Sequence, residues 1–289
     1  MKKFVLLMAL FSIAALSGFA QTGTVLDGAY VKEHTALRRV VPYAYLREAD
    51  VMWSKRIWRV IDINEKINLP LKYPASKSVR DRKSLIDLLM DAVEEGTLTA
   101  YNPVGEAGTP DDEFTLPMTQ DELKKVGGSH TDTIQKARPD PPYDTYDTTI
   151  TITFSRDNVM GYRLKEDWFF DKQRSVIEPR IIGIAPMIYA VNEKGERREG
   201  NLQQPLFWVY YLEARKLLAN AEVFNRENDA ERRSFEDIFE KRMFSSYIIK
   251  ESNVYDRNIS AYVQGLNALL ESDRIKDDII NMEHDLWEY

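Results

Sequence analysis

The sequence predicts an α+β protein: a mostly antiparallel sheet with helices clustered at both ends of the chain. Three observations carry that expectation. Apolar residues recur at helical spacing near the beginning and near the end; between them, short segments alternate apolar and polar residues with a period of two; and turns separate several of those segments. The 289 residues are 44% hydrophobic and 29% charged, a globular composition that excludes a disordered chain, a collagen or a membrane bundle. There is no internal repeat.

The first twenty residues read as an export signal. Lys2 and Lys3 precede an apolar run from Phe4 to Leu16, and Gly18 and Ala20 are the small residues before a cut at Gln21. The run is well short of the ~20 apolar residues that span a bilayer, and Gln21 in place of Cys gives the exported chain no lipid anchor of its own. From Tyr45 to Ile61, Leu46, Ala49, Trp53, Ile57 and Val60 fall at spacings of 3, 4, 4 and 3, which predicts a helix with these residues on its core stripe. Val51 and Trp58 lie off that stripe, among Arg47, Ser54, Lys55 and Arg59. Trp58 is then either covered by another part of the chain or an aromatic anchor with a basic rim, and Val51, Trp58, Arg47, Lys55 and Arg59 form the candidate protein-interaction set.

A second helix is marked by Ser78 as N-cap, by Leu85, Leu88, Leu89 and Ala92 on one face, and by Gly96 past its end; Thr97 to Tyr101 reads as a short strand. From Asn102 to Tyr146 the pattern dissolves among Pro103, Gly105, Gly108, Pro110, Pro117, Gly127-Gly128 and the cluster from Pro139 to Pro142, with only Thr119 to Val126 helical. The expected organisation is therefore a signal at 1–20, an N-terminal helical region at 21–101, a linker or long loop at 102–147 and an α+β region at 148–289. In that last region Thr148 to Phe154 is a half-buried strand, Ser155 to Asn158 a turn, Val159 to Leu164 a second strand, and Trp168 to Phe170 a short packed segment. Val176 to Val191 is extended, with Pro179 and Pro186 restricting it to an edge or to bulges. Asn192 to Gly195 reads as a hairpin turn, Leu206 to Tyr211 as an aromatic strand, and Asn228 with Glu231 as the capping box of a helix through Phe235, Ile238 and Phe239. A strand at Met243 to Lys250 and helices at Ile259 to Leu270 and Ile275 to Trp287 complete the chain.

The search for chemistry is mostly exclusion. Without cysteine there is no disulfide, thiolate metal site or cysteine nucleophile. His34, His130 and His284 are far apart and none sits in H-E-x-x-H; neither a G-x-G-x-x-G nor a P-loop pattern occurs. Gly127 to His130 lacks the strand-turn-helix context of a nucleophile elbow. Asp140, Asp144 and Asp147 are oxygen ligands without the EF-hand pattern, and Asp111/Asp112 and Asp277/Asp278 are pairs that only folding could place for acid/base work. The expectation is no enzyme, no cofactor and no bound metal. Lys+Arg number 39 against 46 Asp+Glu, and removing Lys2 and Lys3 leaves 37 against 46, a net −9 that argues against nucleic acid as a partner. Charge is also uneven: Lys32 to Arg59 carries seven basic and three acidic residues, whereas Glu271 to Tyr289 carries two basic and seven acidic. Opposite ends of this kind can be an internal pair, a head-to-tail contact between copies, or two solvated faces.

Several strings are too long to be generic. Leu46 to Arg56, continuing through Ile67-Asn68 to Pro74, resembles the gliding-motility N proteins, the GldN/PorN family of the type IX secretion system. Glu166 to Lys172 with Arg180 to Pro186 resembles the family's central block, as do Phe207 to Tyr210, Asp237 to Phe239, Phe244 to Ile248, Glu251 to Arg257 and Glu283 to Trp287. The likeness runs in order from Asp27 to Tyr289 and departs mainly at 102–146. It implies a periplasmic component of the type IX translocon of Bacteroidota, assembling with an outer-membrane lipoprotein of the gliding-motility K type into a ring of copies beneath the outer membrane. It also implies contact with the periplasmic part of the proton-driven inner-membrane motor, and it supplies no catalytic motif. The competing class is a periplasmic enzyme or ligand-binding domain whose site is assembled from distant residues around His34 or His284.

Overall fold

The segment from Val51 to Asp62, which carries the helical spacing, is a long strand at the heart of a sheet. The computed structural model describes residues 37–74, 82–106, 108–137, 145–152, 154–192, 197–198, 202–228 and 230–287. The export signal, Ser78, His34, Asp140, Asp144 and most of the turn at 192–195 lie outside them. The strands in chain order are β1 (Val51–Asp62), β2 (Ala100–Tyr101), β3 (His130–Ala137), β4 (Thr145–Ile152), β5 (Val159–Asp171), β6 (Val176–Tyr189), β7 (Gln203–Pro205), β8 (Trp208–Tyr210), β9 (Glu222–Val223), β10 (Arg233–Ser234) and β11 (Tyr247–Glu251). The helices are α1 (Leu69–Lys72), α2 (Leu85–Glu94), α3 (Gln120–Leu123), α4 (Tyr211–Asn220), α5 (Phe235–Glu240) and α6 (Leu266–Trp287).

The main sheet has the order β11-β1-β5-β6-β8-β2, with β7 also on β6, and its pairings are antiparallel. The α+β class with mostly antiparallel strands is therefore what the chain adopts. The predicted helix at 45–61 is not, and the reason is burial: from Ile57 to Val60 β1 runs beside both β11 and β5 and is covered on both faces, although Met52 and Ser54 in its first half are exposed. In the covered stretch the apolar residues do not alternate, and Ile57 and Val60 fall at a spacing of three without a helix. With that helix gone, helices do not cluster at the N-terminal side. At the C-terminal side the two expected helices are a 3₁₀ turn at Ile259–Ala261 and one continuous α6.

Residues 39–289 form one compact unit. Strands from both sides of 102–147 share its central sheet, β1 with β5 along nearly their whole length. The 102–147 segment holds more structure than its composition suggests, including β3, which pairs with β4 from Ala137↔Thr145 to His130↔Ile152. The prolines of β6 fit an interior strand because its second neighbour is discontinuous. β8 covers Gly183 and Ile184, β7 covers Met187 to Tyr189, and Pro186 falls in the gap, its carbonyl accepting from Leu206 N at 2.8 Å. Pro179 lies where neither β7 nor β8 reaches.

Alternate residues divide the sheet into two faces. On the first, Ile61, Leu164 and Ile184 pack under α2, α4 and α5, which contribute Leu85, Leu89, Ala214, Leu218, Phe235 and Phe239. Further along the same face Ile57 and Ile248 meet Ile275 and Ile279 of α6. The second face carries Trp58, Ala185 and Trp208 with Tyr101 and Phe114.

Helix α2 ends as its sequence suggests, with Gly96 at φ +72°, but its N-cap is Ser84, whose Oγ accepts from Asp87 N at 3.3 Å. The cap of α5 likewise moves from Asn228 to Ser234, paired with Asp237 in a capping box.

Candidate functional site

The most concentrated polar chemistry lies between the two apolar clusters of the first face. Arg59 separates Ile57 from Ile61 along β1, and Glu166 separates Leu164 from Trp168 along β5. Glu166 is fully buried. Its carboxylate holds Arg59 Nε at 2.9 Å, Arg242 Nη1 at 3.0 Å and the Trp168 indole N–H at 3.0 Å. Both guanidinium groups also stand over the Trp168 ring, 5.5 and 5.2 Å from its centroid. Burial pushes the Arg59 pKa down, and the neighbouring Glu166 charge works against that shift.

Arg242 reaches this layer from an unusual backbone position. Helix α5 ends in a Schellman motif: Met243 N donates to Ile238 O at 2.8 Å and Arg242 N to Phe239 O at 3.2 Å. The motif needs a left-handed residue, and Arg242 fills it at φ +53°. Helix α2 closes by the same bonds with Gly96 in that place. A glycine would remove the steric cost at Arg242 and would also remove the side chain that meets Glu166.

The second face holds its own cation. Lys165, 2% exposed, donates to Asp112 O at 2.5 Å and lies over the Phe114 ring at 5.5 Å and the Trp58 ring at 5.8 Å. Phe114 is fitted against Gly183: a Cβ there would lie 2.4 Å from Phe114 Cζ. Trp208 meets the same ring edge-on at 6.0 Å. Asp112 and Phe114 both come from the stretch read as linker, so that part of it completes the second face.

The sequence-predicted interaction set is thereby distributed rather than assembled. Trp58 is only 6% exposed, with Lys250 Nζ 4.3 Å from its ring centre, so its own chain covers it. Arg59 is buried on the opposite face, and Lys55 shares that face and pairs with Glu251 at 2.6 Å. Val51 returns to the Trp58 side only because a bulge at Met52 shifts the register. Arg47 is exposed. The Glu166 layer escaped sequence reasoning because its members lie on three separate segments; the available signal was the charged run Lys165-Glu166-Asp167 between Leu164 and Trp168 in a strand.

An open groove of about 1280 Å³ lies along Gly127 to Thr131, Phe154 and Arg156. Gly127, at φ +67°, is pressed against Phe154, and Ser129 Oγ accepts from Phe154 N at 2.8 Å, so this loop is a packing joint. Arg156 turns to α2, at 2.6 Å from Asp91 and 3.1 Å from Asp87. Asp147 sits on β4, and among the described residues no group of three or more His, Asp or Glu could hold a metal ion. None of the described helices is long and apolar enough to cross a membrane.

Apolar side chains stand outward at several places, among them the turn after β11, where Val254 and Tyr255 are 98% and 76% exposed, helix α6 and the arm before β1. Leu266, Leu269, Leu270 and Ile280 of α6 are 72%, 49%, 59% and 50% exposed, and Val41 and Tyr45, in the arm before β1, are 75% and 89% exposed. Taken together, the fold and these sites define an antiparallel α+β protein in which Glu166, Arg59 and Lys165 are buried and exposed apolar side chains include those of the arm and of α6. Residues 46–288 match the family model described as gliding motility associated protein GldN, and the chain belongs to that family. It is thus a component of the gliding-motility and type IX secretion machinery. No curated protein matches the chain.

Proposed function

We propose that this protein is a non-enzymatic, periplasmic structural subunit of the type IX secretion and gliding-motility machinery. In this reading it assembles with an outer-membrane lipoprotein of the gliding-motility K type into a ring of copies beneath the outer membrane, within reach of the periplasmic part of the inner-membrane motor. The observation that carries it is the family match, which takes in all of the central sheet and all of α6. The export signal read at 1–20 supports the periplasmic assignment. The destination of the polar groups supports a structural role: Glu166, Arg59, Lys165 and Arg242 are engaged with one another or with neighbouring side chains in the interior. The exposed apolar groups on α6 and the arm are suited to contact with other proteins.

The test is co-purification with the lipoprotein from the host membrane fraction, followed by electron microscopy, alongside a gene deletion. Expected are ring-shaped particles containing both proteins and cargo retained inside the outer membrane of the deletion strain. Normal secretion in that strain, or a protein found only in the soluble fraction, contradicts the proposal. One equivalent of tightly held Zn²⁺ or Ca²⁺ in the dialysed protein, with turnover of a substrate in the Gly127 to Arg156 groove, would favour the enzyme class instead.

A further inference from the structure

The arm before β1 and the outer face of α6 each carry exposed apolar side chains beside exposed charges of opposite sign. Helix α6 buries Ala268, Ser272, Ile275 and Ile279 against the sheet side of the molecule. At 100° per residue, Leu266, Leu270, Asp273 and Asp277 lie within about 50° of the diametrically opposite line and Ile280 flanks it, and all five are exposed. This stripe is apolar at its N-terminal end, acidic in its middle and apolar again at Ile280.

The arm at 39–47 offers the complement. Val41 and Tyr45 point away from the body, and Arg39 and Arg47 are exposed with no ion pair among the described residues. Of the basic residues between 32 and 59, Lys55, Arg56 and Arg59 pair with Glu251, Asp167 and Glu166 and Arg38 is also engaged, whereas Arg39 and Arg47 face outward. Tyr43 pins the arm: its hydroxyl donates to Glu240 at 2.5 Å, and the guanidinium groups of Arg215 and Arg180 stand 4.2 and 5.1 Å from its ring centre. Arg180 also donates to Ala44 O at 2.9 Å. The arm is therefore presented in a fixed pose.

Within one copy the arm is tied to β6, α4 and α5, whereas α6 packs on β11, three strands away in the order β11-β1-β5-β6. Their lengths are commensurate: nine residues of extended arm reach at most about 30 Å, and the α6 stripe from 266 to 280 runs about 21 Å.

We infer that the arm at 39–47 of one copy docks antiparallel on the outer stripe of α6 of the next, with Tyr45 and Val41 against Leu266 and Leu270 and with Arg39 against Asp273 and Asp277. The contact rests on the proposed ring reading and gives that reading its self-association surface. Because it joins two different patches it is heterologous, so each copy leaves one half open for a further copy until the series closes.

Charge reversal in the purified full chain tests it by analytical ultracentrifugation at low and high salt. The variant Arg39→Glu and the variant Asp273→Lys/Asp277→Lys should each sediment as monomers at concentrations where the unaltered chain associates. Their melting temperatures should match the unaltered chain, since these groups are exposed. An equimolar mixture should recover association, because each reversed arm then faces a reversed helix or an unaltered arm faces an unaltered helix. Raising salt should weaken association of the unaltered chain. Variants that associate as strongly as the unaltered chain, or a mixture that stays monomeric, overturn this contact. If they do so while rings persist in membrane fractions, the proposed function survives and another surface makes the ring; an unaltered chain that is monomeric alone and absent from membrane rings overturns both.

Discussion

The Glu166 layer and the outer stripe of α6 are built from the same materials, carboxylates interleaved with large apolar side chains, yet they behave oppositely. At Glu166 two guanidinium groups and an indole N–H close around one carboxylate with no solvent contact. On α6, Asp273 reaches only its own neighbour Lys276, at 2.9 Å, and the leucines beside it remain exposed. Composition does not separate the two regions; what surrounds them does. In the first, removing one partner strands a buried charge, so the cluster ties β1, β5 and the turn after α5 to a single arrangement. In the second, water solvates whatever is left behind, so substitutions leave the fold nearly untouched and change only what the surface can meet.

The largest expected effect comes from breaking the closed cluster. Glu166→Ala should cost about 3–5 kcal/mol, because Arg59 and Arg242 lose their shared counter-charge while one of them stays buried. Urea denaturation measures it, and a cost below about 1 kcal/mol would mean that water already reaches the layer. Trp58→Ala should cost a similar about 3–5 kcal/mol through cavity formation beneath Lys250 and Lys165, in contrast to the small change expected of a partner-facing anchor. A melting temperature equal to that of the unaltered protein would restore the anchor reading. Gly183→Ala should cost about 1–3 kcal/mol, since the new methyl group displaces Phe114 and with it the cover over Lys165.

Acid should act through a smaller set of groups. Burial works to raise Asp91, yet hydrogen bonds from Lys83 and Arg156 hold its pKa below the ordinary carboxylate range; Asp237 is likewise held down by Lys241 and the Ser234 backbone against the effect of burial. A carboxylate whose folded pKa is depressed contributes stability above its unfolded value, about 3.9, and loses that contribution as pH falls through the folded one. The melting temperature should therefore fall below about pH 4, and Asp237→Asn should flatten that acid limb. An unchanged acid slope in this variant would remove Asp237 from the account.

Sequence reasoning reached the fold class, the position of α2 with its glycine stop, the helical turn of α3 within Thr119 to Val126, and the strands near β4, β6, β8 and β11. Its failures share a physical origin. The second halves of β1 and β5 are largely buried on both faces, so the period of two that marks a half-exposed strand is absent there. Trp53, Ile57 and Val60 could then imitate a helix, and Trp168 to Phe170 an isolated packed segment. The cover provided by Phe114 was hidden among prolines and glycines, because its importance lies in what Gly183 leaves room for on a distant strand. The candidate interaction set failed as a surface for the same reason as the helix: Trp58 and Arg59, adjacent in sequence, point to opposite faces of a sheet. Of that set, Arg47 stays on the outside. The acidic C-terminal end, by contrast, was legible, since an amphipathic helix keeps its outer stripe in view of both solvent and sequence.

The most direct measurement compares Glu166→Gln and Leu270→Asp side by side, recording the melting temperature and sedimentation of each. The account predicts that Glu166→Gln melts well below the unaltered protein while its folded fraction still associates. Leu270→Asp should melt at the unaltered temperature and sediment as a monomer. If Leu270→Asp instead unfolds the protein, or Glu166→Gln abolishes association without lowering the melting temperature, the division between an interior held by charge and an assembly surface on α6 is contradicted.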